Sequence, residues 1–211
     1  MAHVVVVIGG GEVSATAVAS VRADTVIAAD SGLDHAVAAG LRPSMLVGDL
    51  DSISASGRMW AYAHELVIDV QPADKDLTDT ELAIAAALAV PDVSRLTMLG
   101  GVGDRLDHLL AVLLALGQPG LAGLHGVRAW IGDTECVVVH PGRTATLELE
   151  VGRTFSVLAL HGPAGGVCVR GARWELTDAD LAPTEARGVS NEAKEQTMIS
   201  VATGVITVIV P

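Results

Sequence analysis

The chain has 211 residues, half of them apolar, and a formal net charge of −12. The excess of acidic residues argues against a nucleic-acid groove, which needs clustered Lys and Arg. The longest apolar runs, such as residues 109–116, are far shorter than the roughly 20 residues that a membrane-spanning helix needs. The N-terminal segment lacks the basic region of a signal peptide. We therefore expect a soluble, cytoplasmic protein with no nucleic-acid or membrane partner.

The first 132 residues alternate short apolar runs with longer Ala- and Leu-rich stretches. Strands are predicted at residues 3–9, 25–30, 44–49, 65–70, 95–101 and 127–132, and helices at residues 14–21, 33–40, 53–64, 78–89 and 104–116. Continuous apolar strands separated by helices indicate a parallel sheet that is covered on both faces. This part of the chain is predicted to be an α/β domain.

A different pattern begins at Asp133. Strands are predicted at residues 135–140, 144–151, 154–160, 166–176, 197–203 and 205–210. Short strands separated by Gly, Pro or polar turns, without a long helix, are typical of an antiparallel sandwich or barrel. We therefore predict two domains, at residues 1–132 and 133–211. Cys136 and Cys168 lie far apart and predict neither a disulfide framework nor a zinc site.

Aspartates follow two neighbouring strands of the predicted sheet. Asp30 follows the second strand, and Asp49 and Asp51 follow the third. Ligands of open parallel sheets bind beyond the carboxyl ends of the strands. Residues i and i+2 of an extended chain point to the same side, so Asp49 and Asp51 can converge on a cation, with Mg²⁺ preferred to Ca²⁺. Alternatively, Asp49 starts a turn, and Asp51 or Ser52 caps the next helix.

A second acidic segment precedes the fourth predicted helix. Thr78 and Glu81 form a capping-box pattern that starts the helix, with Asp79 in its first turn. The helix dipole alone accounts for acids at this position. It does not account for the Asp-Lys-Asp run at residues 74–76. A lysine among acids at a helix start is suited to a phosphate and its metal.

The third segment is a glycine-rich loop at residues 100–103, followed by Arg105 in the first turn of an apolar helix. A guanidinium at this position suits phosphate oxygens. Asp104 can be the N-cap, and His108 is interpreted as a surface or packing histidine. No segment matches the Walker pattern or the dinucleotide-binding fingerprint. Together, the three segments predict metal-assisted phosphoryl chemistry at one edge of the sheet.

The order of these motifs resembles that of the thiamine pyrophosphokinase family. The matching segments are DSG at 30–32, GDLDS at 48–52, DKDLTD at 74–79, GGVGDRLDH at 100–108, GARWEL at 171–176 and GVSNE at 188–192. The resemblance implies a Rossmann-like α/β domain followed by a β-sandwich. It also implies a homodimer that binds thiamine between the catalytic domain of one subunit and the sandwich of the other. The implied reaction moves the β,γ-pyrophosphoryl group of ATP to the thiamine hydroxyl and releases AMP.

The resemblance also implies roles for individual residues. Three aspartates would hold Mg²⁺, namely Asp49, Asp51 and Asp79. The ATP phosphates or the attacking hydroxyl would be positioned by Lys75, Thr78, Arg105 and Asp107. Other substrate contacts are expected from Asp30, Ser52 and Asp76. The ring of Trp174 would stack on thiamine, and its pyrimidine would be bound by Ser190 and Asn191. Either Asp79 or Asp107 would act as general base.

Two residues depart from the family pattern, and several alternatives stay open. Ser31 and Asp104 stand where glycines are usual, which can weaken ATP binding. Trp174 can instead be a core residue of the sandwich, and Ser190 and Asn191 can be ordinary turn residues. Rival functions are a diphosphokinase for another hydroxymethyl heteroaromatic, such as a pterin, and a non-catalytic thiamine or nucleotide sensor. A DHH-type phosphoesterase is disfavoured because Leu109, not a second histidine, follows His108.

Overall fold

The protein has a mixed α/β structure, and strands and helices alternate in the first part of its chain, as predicted. The computed structural model describes residues 1–72, 74, 76–100, 103 and 105–211. Its first strands are β1 (Ala2–Val7), β2 (Thr25–Ala29), β3 (Met45–Gly48), β4 (Val67–Val70) and β5 (Val93–Leu99). The helices are α1 (Ala15–Ser20), α2 (Gly32–Ala38), α3 (Ala55–Ala63), α4 (Asp79–Leu88) and α5 (Leu106–Ala115).

These five strands lie in the order β4-β3-β2-β1-β5, and every pairing between them is parallel. Residues Val4–Val7 of β1 are fully buried, as expected for a central strand with both faces covered. In the register between β2 and β3, Ala29 pairs with Val47. The residues that follow these two strands therefore emerge side by side at one edge of the sheet.

Side-chain caps determine where three of the helices begin. Ser14 caps α1, Ser54 caps α3, and Thr78 caps α4. At α4 the capping box is complete, because Thr78 accepts from the Glu81 amide and the Glu81 carboxylate accepts from the Thr78 amide. This confirms the helix start predicted at Thr78 and places Asp79 in the first turn.

The later part of the chain is rich in antiparallel strands. Its elements are a short 3-10 helix (Pro119–Leu121), β6 (Gly126–Ile131), β7 (Thr134–Val139), β8 (Thr144–Leu147), β9 (Thr154–Leu158), β10 (Ala164–Ala172), β11 (Leu176–Leu181), β12 (Asn191–Ser200) and β13 (Ile206–Val210). The strand order is β7-β13-β9-β12-β10-β11, and β8 also pairs with β12. Their apolar side chains form a core around Phe155, Ile199 and Ile206.

The described chain divides into two units, one of residues 1–115 and 129–133 and the other of residues 116–128 and 134–211. Within the part of the chain that the structure describes, no helix is long and apolar enough to span a membrane.

Three strand predictions in the second unit differ from the structure. The strand predicted at 144–151 is β8, which ends already at Leu147. The strand predicted at 166–176 ends at Ala172 as β10, and β11 (Leu176–Leu181) lies almost entirely beyond the predicted strand. Gly171 has a φ of +73°, and the Glu175 carboxylate accepts from its amide at 2.9 Å, which closes a turn. The strand predicted at 197–203 is β12, which begins already at Asn191. The polar residues at its start have weak strand propensity, and pairing with neighbouring strands extends it.

Candidate active site

The segment after β3 is a tight turn that carries two aspartates. Leu50 has a φ of +66°, in the left-handed region. The Asp51 amide donates to Oδ1 of Asp49 at 3.2 Å, and the Ser52 hydroxyl donates to Oδ1 of Asp51 at 2.7 Å. The interpretation that Asp49 starts a turn is therefore confirmed. The helix cap is Ser54, so the alternative that Asp51 or Ser52 caps α3 is wrong.

Asp30 joins these two aspartates from the end of β2. One carboxylate oxygen from each of Asp30, Asp49 and Asp51 lies within 4.8 Å of the others. The convergence arises from the left-handed turn and from the neighbouring strand, rather than from alternation along an extended chain. Among the residues that the structure describes, the buried Oδ1 of Asp30 has no hydrogen-bond partner.

The surroundings of Asp30 oppose its ionisation. Burial raises the pKa of its carboxyl above the ordinary value, and the negative charges of Asp79 and Asp49 raise it further. The nearby Ser52 side chain and the Ser31 amide act in the opposite direction and lower the pKa. A cation among these carboxylates would remove the repulsion that raises the pKa of Asp30.

Asp79 approaches the same point from the start of α4. A Cβ atom placed on Gly48 would lie 3.2 Å from Cβ of Asp30 and 3.3 Å from Oδ1 of Asp79. Gly48 has a φ of +145°, which side-chain-bearing residues rarely adopt. The glycine therefore allows both carboxylates to pack against the end of β3. Carboxylate oxygens are the ligands that Mg²⁺ prefers, so the residues present fit this ion.

A cavity of about 420 Å³ opens beside the carboxylates. Seven of the predicted site residues line it, namely Asp30, Asp49, Asp51, Ser52, Thr78, Asp79 and Arg105. One face of α5 completes the wall with His108, Leu109 and Val112. Asp76 is exposed and lies outside the cavity lining. Lys75, which the resemblance assigns to substrate binding, and Asp104, the predicted N-cap, lie outside the described residues.

Arg105 and Asp107 form a bidentate pair at the start of α5. Nε of Arg105 donates to Oδ1 of Asp107 at 2.9 Å, and Nη2 donates to Oδ2 at 2.6 Å. The hydrogen bonds from Arg105 hold the pKa of the Asp107 carboxyl well below its usual range. In this arrangement Asp107 orients the guanidinium and is a weak proton acceptor.

In the second unit, Trp174 lies in the turn between β10 and β11 with 54% of its surface exposed. It is therefore not a core residue. Asn191 is buried and bonds the Trp174 backbone in both directions, accepting from its amide at 3.1 Å and donating to its carbonyl at 2.8 Å. Ser190 has a φ of +59°, and its amide donates to the Ser156 hydroxyl. The structure thus brings Trp174, Ser190 and Asn191 together.

Two family models match this chain. The model for the catalytic domain of thiamin pyrophosphokinase covers residues 19–122, and the model for its vitamin B1 binding domain covers residues 144–206. The chain belongs to the thiamin pyrophosphokinase family. Members of this family are enzymes.

Solved structures agree with this assignment. A thiamin pyrophosphokinase family protein from Enterococcus faecalis is 28% identical, with a TM-score of 0.77, and the match covers 99% of this chain and 98% of that one. The thiamine pyrophosphokinase of Bacillus subtilis is 21% identical, with a TM-score of 0.82 and the same coverage of both chains. The Candida albicans enzyme shares the fold at 12% identity, with a TM-score of 0.78 over 99% of this chain and 88% of that one. No curated protein sequence matches the chain.

Two features of the site differ from the sequence-based expectations. Asp30 was expected to contact substrate, but the structure places it in the carboxylate group with Asp49 and Asp51. The signal was available, because aspartates that follow adjacent parallel strands lie side by side. The other feature is the cavity-lining face of α5. Arg105, His108, Leu109 and Val112 have the spacing of one helix face and line the cavity together.

Proposed function

We propose that this protein transfers the β,γ-pyrophosphoryl group of ATP to the hydroxyl of thiamine, giving thiamine diphosphate and AMP. The observation that carries the proposal is the convergence of Asp30, Asp49 and Asp51 beside the cavity. Asp79 packs near them against Gly48. Transfer of this kind requires mainly positioning and neutralisation of charge. Membership of the thiamin pyrophosphokinase family supports thiamine and ATP as substrates.

In the proposed mechanism, Asp49, Asp51 and Asp79 hold Mg²⁺, and Asp30 adds a fourth carboxylate. The four carboxylates would hold the ion, and the ion would supply positive charge that offsets the charge developing on the departing AMP. The unpartnered Oδ1 of the buried Asp30 carboxyl supports a cation at this place.

The cations and hydroxyls around the cavity are proposed to bind the triphosphate. Arg105, held in orientation by Asp107, presents its guanidinium at the cavity wall. The hydroxyls of Thr78 and Ser52 belong to residues that line the same cavity. Lys75 and Asp76 precede Thr78 in the sequence, and we propose that they also contact the substrate. As a general base, Asp107 is disfavoured by its low pKa.

Thiamine is proposed to bind at the exposed Trp174 of the second unit. We infer that this unit is a β-sandwich and that the boundary between the two domains lies near Gly132. The contacts of Asn191 support a role in holding the Trp174 backbone, with Ser190 beside it. The guanidinium carbon of Arg173 lies 4.7 Å from the centre of the Trp174 ring, so one face of the ring is occupied. Thiamine would stack on the opposite face.

The active form is proposed to be a homodimer whose sites combine residues of two subunits. Leu106, Leu110 and Leu114 form an exposed stripe along α5, at 66%, 51% and 55% exposure. Exposed apolar stripes of this kind are typical of protein interfaces. The test mixes Trp174→Ala subunits with Asp49→Asn subunits at a thiamine concentration too low for either variant to turn over alone. A shared site gives one intact site per heterodimer, so activity should return. Confirmed subunit exchange without recovery would contradict the shared site.

The proposed activity is tested by AMP release from ATP with thiamine, a hydroxymethyl pterin or no acceptor. We expect AMP only with thiamine. Release with the pterin alone would identify the rival diphosphokinase. Binding of thiamine and ATP without AMP release would identify the sensor. The net charge of −12 supports the absence of a nucleic-acid partner, and a cytoplasmic location stays a prediction.

A further inference from the structure

Arg58 of α3 donates hydrogen bonds to the backbone of the segment that carries Asp49 and Asp51. Its Nη2 donates to the carbonyl of Leu50 at 2.7 Å, and its Nε donates to the carbonyl of Ile53 at 3.3 Å. One guanidinium therefore joins two points of the turn to the helix that follows it. Hydrogen bonds from a charged donor are stronger than those between neutral groups, and the planar fork fixes their directions.

The shorter of these two hydrogen bonds goes to Leu50, whose backbone is strained. Leu50 adopts a φ of +66°, and a leucine in the left-handed region persists only when its surroundings hold it there. Asp49 and Asp51 flank Leu50 on either side. The directions of both carboxylates therefore depend on the backbone that Arg58 holds.

The far end of the same segment is anchored to another helix. The carboxylate of Asp34, on α2, accepts from the Ser54 amide at 2.9 Å and from the Ser54 hydroxyl. Ser54 in turn caps α3 through the Gly57 amide. The start of α3 is thus fixed relative to α2. Because Arg58 lies on α3 and donates to the Leu50 carbonyl, it fixes the Leu50 backbone relative to the same helix.

We infer that Arg58 is a positioning residue that orients Asp49 and Asp51 for the metal ion. This inference rests on the proposed function, in which these aspartates hold Mg²⁺. Arg58 contacts the turn only through backbone carbonyls in the described structure, so its role is to orient ligands rather than to bind the ion. Groups that orient metal ligands typically change metal affinity by 10–100-fold when they are removed.

The sign of the effect separates positioning from simple electrostatics. Arg58 carries a positive charge next to a proposed cation site. If charge alone mattered, removing it would strengthen metal binding, because like charges repel. If Arg58 holds the turn, its removal weakens metal binding even though a repulsive charge is lost. The two accounts predict opposite changes.

The experiment measures Mn²⁺ binding to the nucleotide-free protein by electron paramagnetic resonance. The variants are Arg58→Ala, Arg58→Lys and Asp51→Asn. The control Arg42→Ala removes the same charge from another exposed arginine of the first unit. We expect Arg58→Ala to weaken binding by about 10-fold or more and Arg58→Lys, which keeps the charge and one donor group, to weaken it less. Arg42→Ala should leave binding unchanged, and thermal unfolding identifies any variant that is misfolded.

A second readout uses turnover. Arg58→Ala should raise the Mg²⁺ concentration for half-maximal rate while the KM for thiamine stays unchanged, and excess Mg²⁺ should restore much of kcat. Unchanged or tighter Mn²⁺ binding in folded Arg58→Ala, with binding lost in Asp51→Asn, would overturn the positioning role alone. Unchanged binding in Asp51→Asn would overturn the proposed metal site, and the role of Arg58 with it. If Arg58→Ala fails to fold, Arg58→Lys decides between the same outcomes.

Discussion

Asp30 lies directly beside Gly48, at the ends of two adjacent parallel strands. The register that pairs Ala29 with Val47 places these residues next to each other, and the Asp30 amide donates to the Val47 carbonyl at 2.9 Å. A side chain on Gly48 would begin 3.2 Å from Cβ of Asp30. The absence of a side chain at Gly48 is therefore what allows Asp30 to join the aspartates that follow it.

Gly48→Ala should disrupt the carboxylate group without unfolding the protein. The new methyl group would crowd Asp30 and Asp79, both within 3.3 Å of its position. We expect Mn²⁺ binding and turnover to be largely lost, with a loss of about 1 kcal/mol or more in unfolding free energy from the unfavourable φ. Isothermal calorimetry and chemical unfolding measure the two effects.

Gly40→Ala is the matched control for that substitution. Gly40 also has a positive φ, of +75°, but an added Cβ would meet no described atom within 4 Å. Gly40→Ala should therefore lose stability through its backbone alone and keep normal metal binding. Equal loss of metal binding in both variants would show that backbone strain, not contact with Asp30 and Asp79, is responsible.

Arg105→Lys should raise the KM for ATP and leave the KM for thiamine unchanged. A lysine ammonium keeps the charge but cannot reproduce the planar fork of the guanidinium. Asp107→Asn should have a smaller effect of the same kind, because Arg105 loses its partner at 2.6 Å but keeps its charge. Steady-state kinetics measure both variants. An ATP dependence identical to that of the unmodified protein in Arg105→Lys would mean that Arg105 is only a solvated residue at the helix start.

Trp174→Ala should weaken thiamine binding and spare ATP binding. Cation–π attraction contributes roughly 0.5–2 kcal/mol, and stacking area adds to it. The expected loss is therefore about one to two orders of magnitude, at about 1.4 kcal/mol per tenfold. Met198→Ala, which removes another exposed apolar side chain of the second unit, is the control. Fluorescence titration with thiamine would contradict the assignment if both variants bound it with the affinity of the unmodified protein.

His140 should make stability depend on pH. It is buried, its Nε2 lies 3.2 Å from the Leu116 carbonyl, and burial together with the charge of Arg143 lowers its pKa. The unfolded chain, with a histidine pKa of about 6.5, then takes up the proton before the folded chain does. The free energy of unfolding should therefore fall as the pH falls below about 6.5, and rise as the pH rises.

His140→Gln keeps a donor for the Leu116 carbonyl and removes the titration. Denaturant unfolding at about pH 7 and about pH 5 should show a smaller difference in this variant than in the unmodified protein. His125→Gln replaces an exposed histidine of the same unit and should retain the full difference. An unchanged pH dependence in His140→Gln would assign the effect to other groups.

The parts of the fold that sequence predicts well are those with local signals. Apolar runs predict β1 to β5, and the capping box predicts the start of α4, because these depend on residues close in the chain. The division between β10 and β11 depends on one glycine with a positive φ and one carboxylate contact, which an apolar pattern does not reveal. The start of β12 depends on pairing with distant strands.

The site shows the same distinction. The aspartates after β3 are evident in the sequence, but the left-handed Leu50 that turns them inward is not, because leucine has no preference for that conformation. The contact of Arg58 with this turn is not evident in the sequence either, because Arg58 donates to the backbone carbonyls of Leu50 and Ile53. Such contacts carry no residue-specific pattern that a motif can record.

The central claim is that a carboxylate-bound metal supports pyrophosphoryl transfer to thiamine. The most direct measurement follows the products of ATP labelled at the β-phosphorus, incubated with thiamine and Mg²⁺, for the unmodified protein and for Asp51→Asn. We predict that the label appears in thiamine diphosphate, with an equal amount of AMP formed, and that Asp51→Asn gives neither product while remaining folded. Label retained in ADP, with thiamine monophosphate as the other product, would contradict pyrophosphoryl transfer. Full activity of Asp51→Asn at limiting Mg²⁺ would contradict the role of the carboxylates.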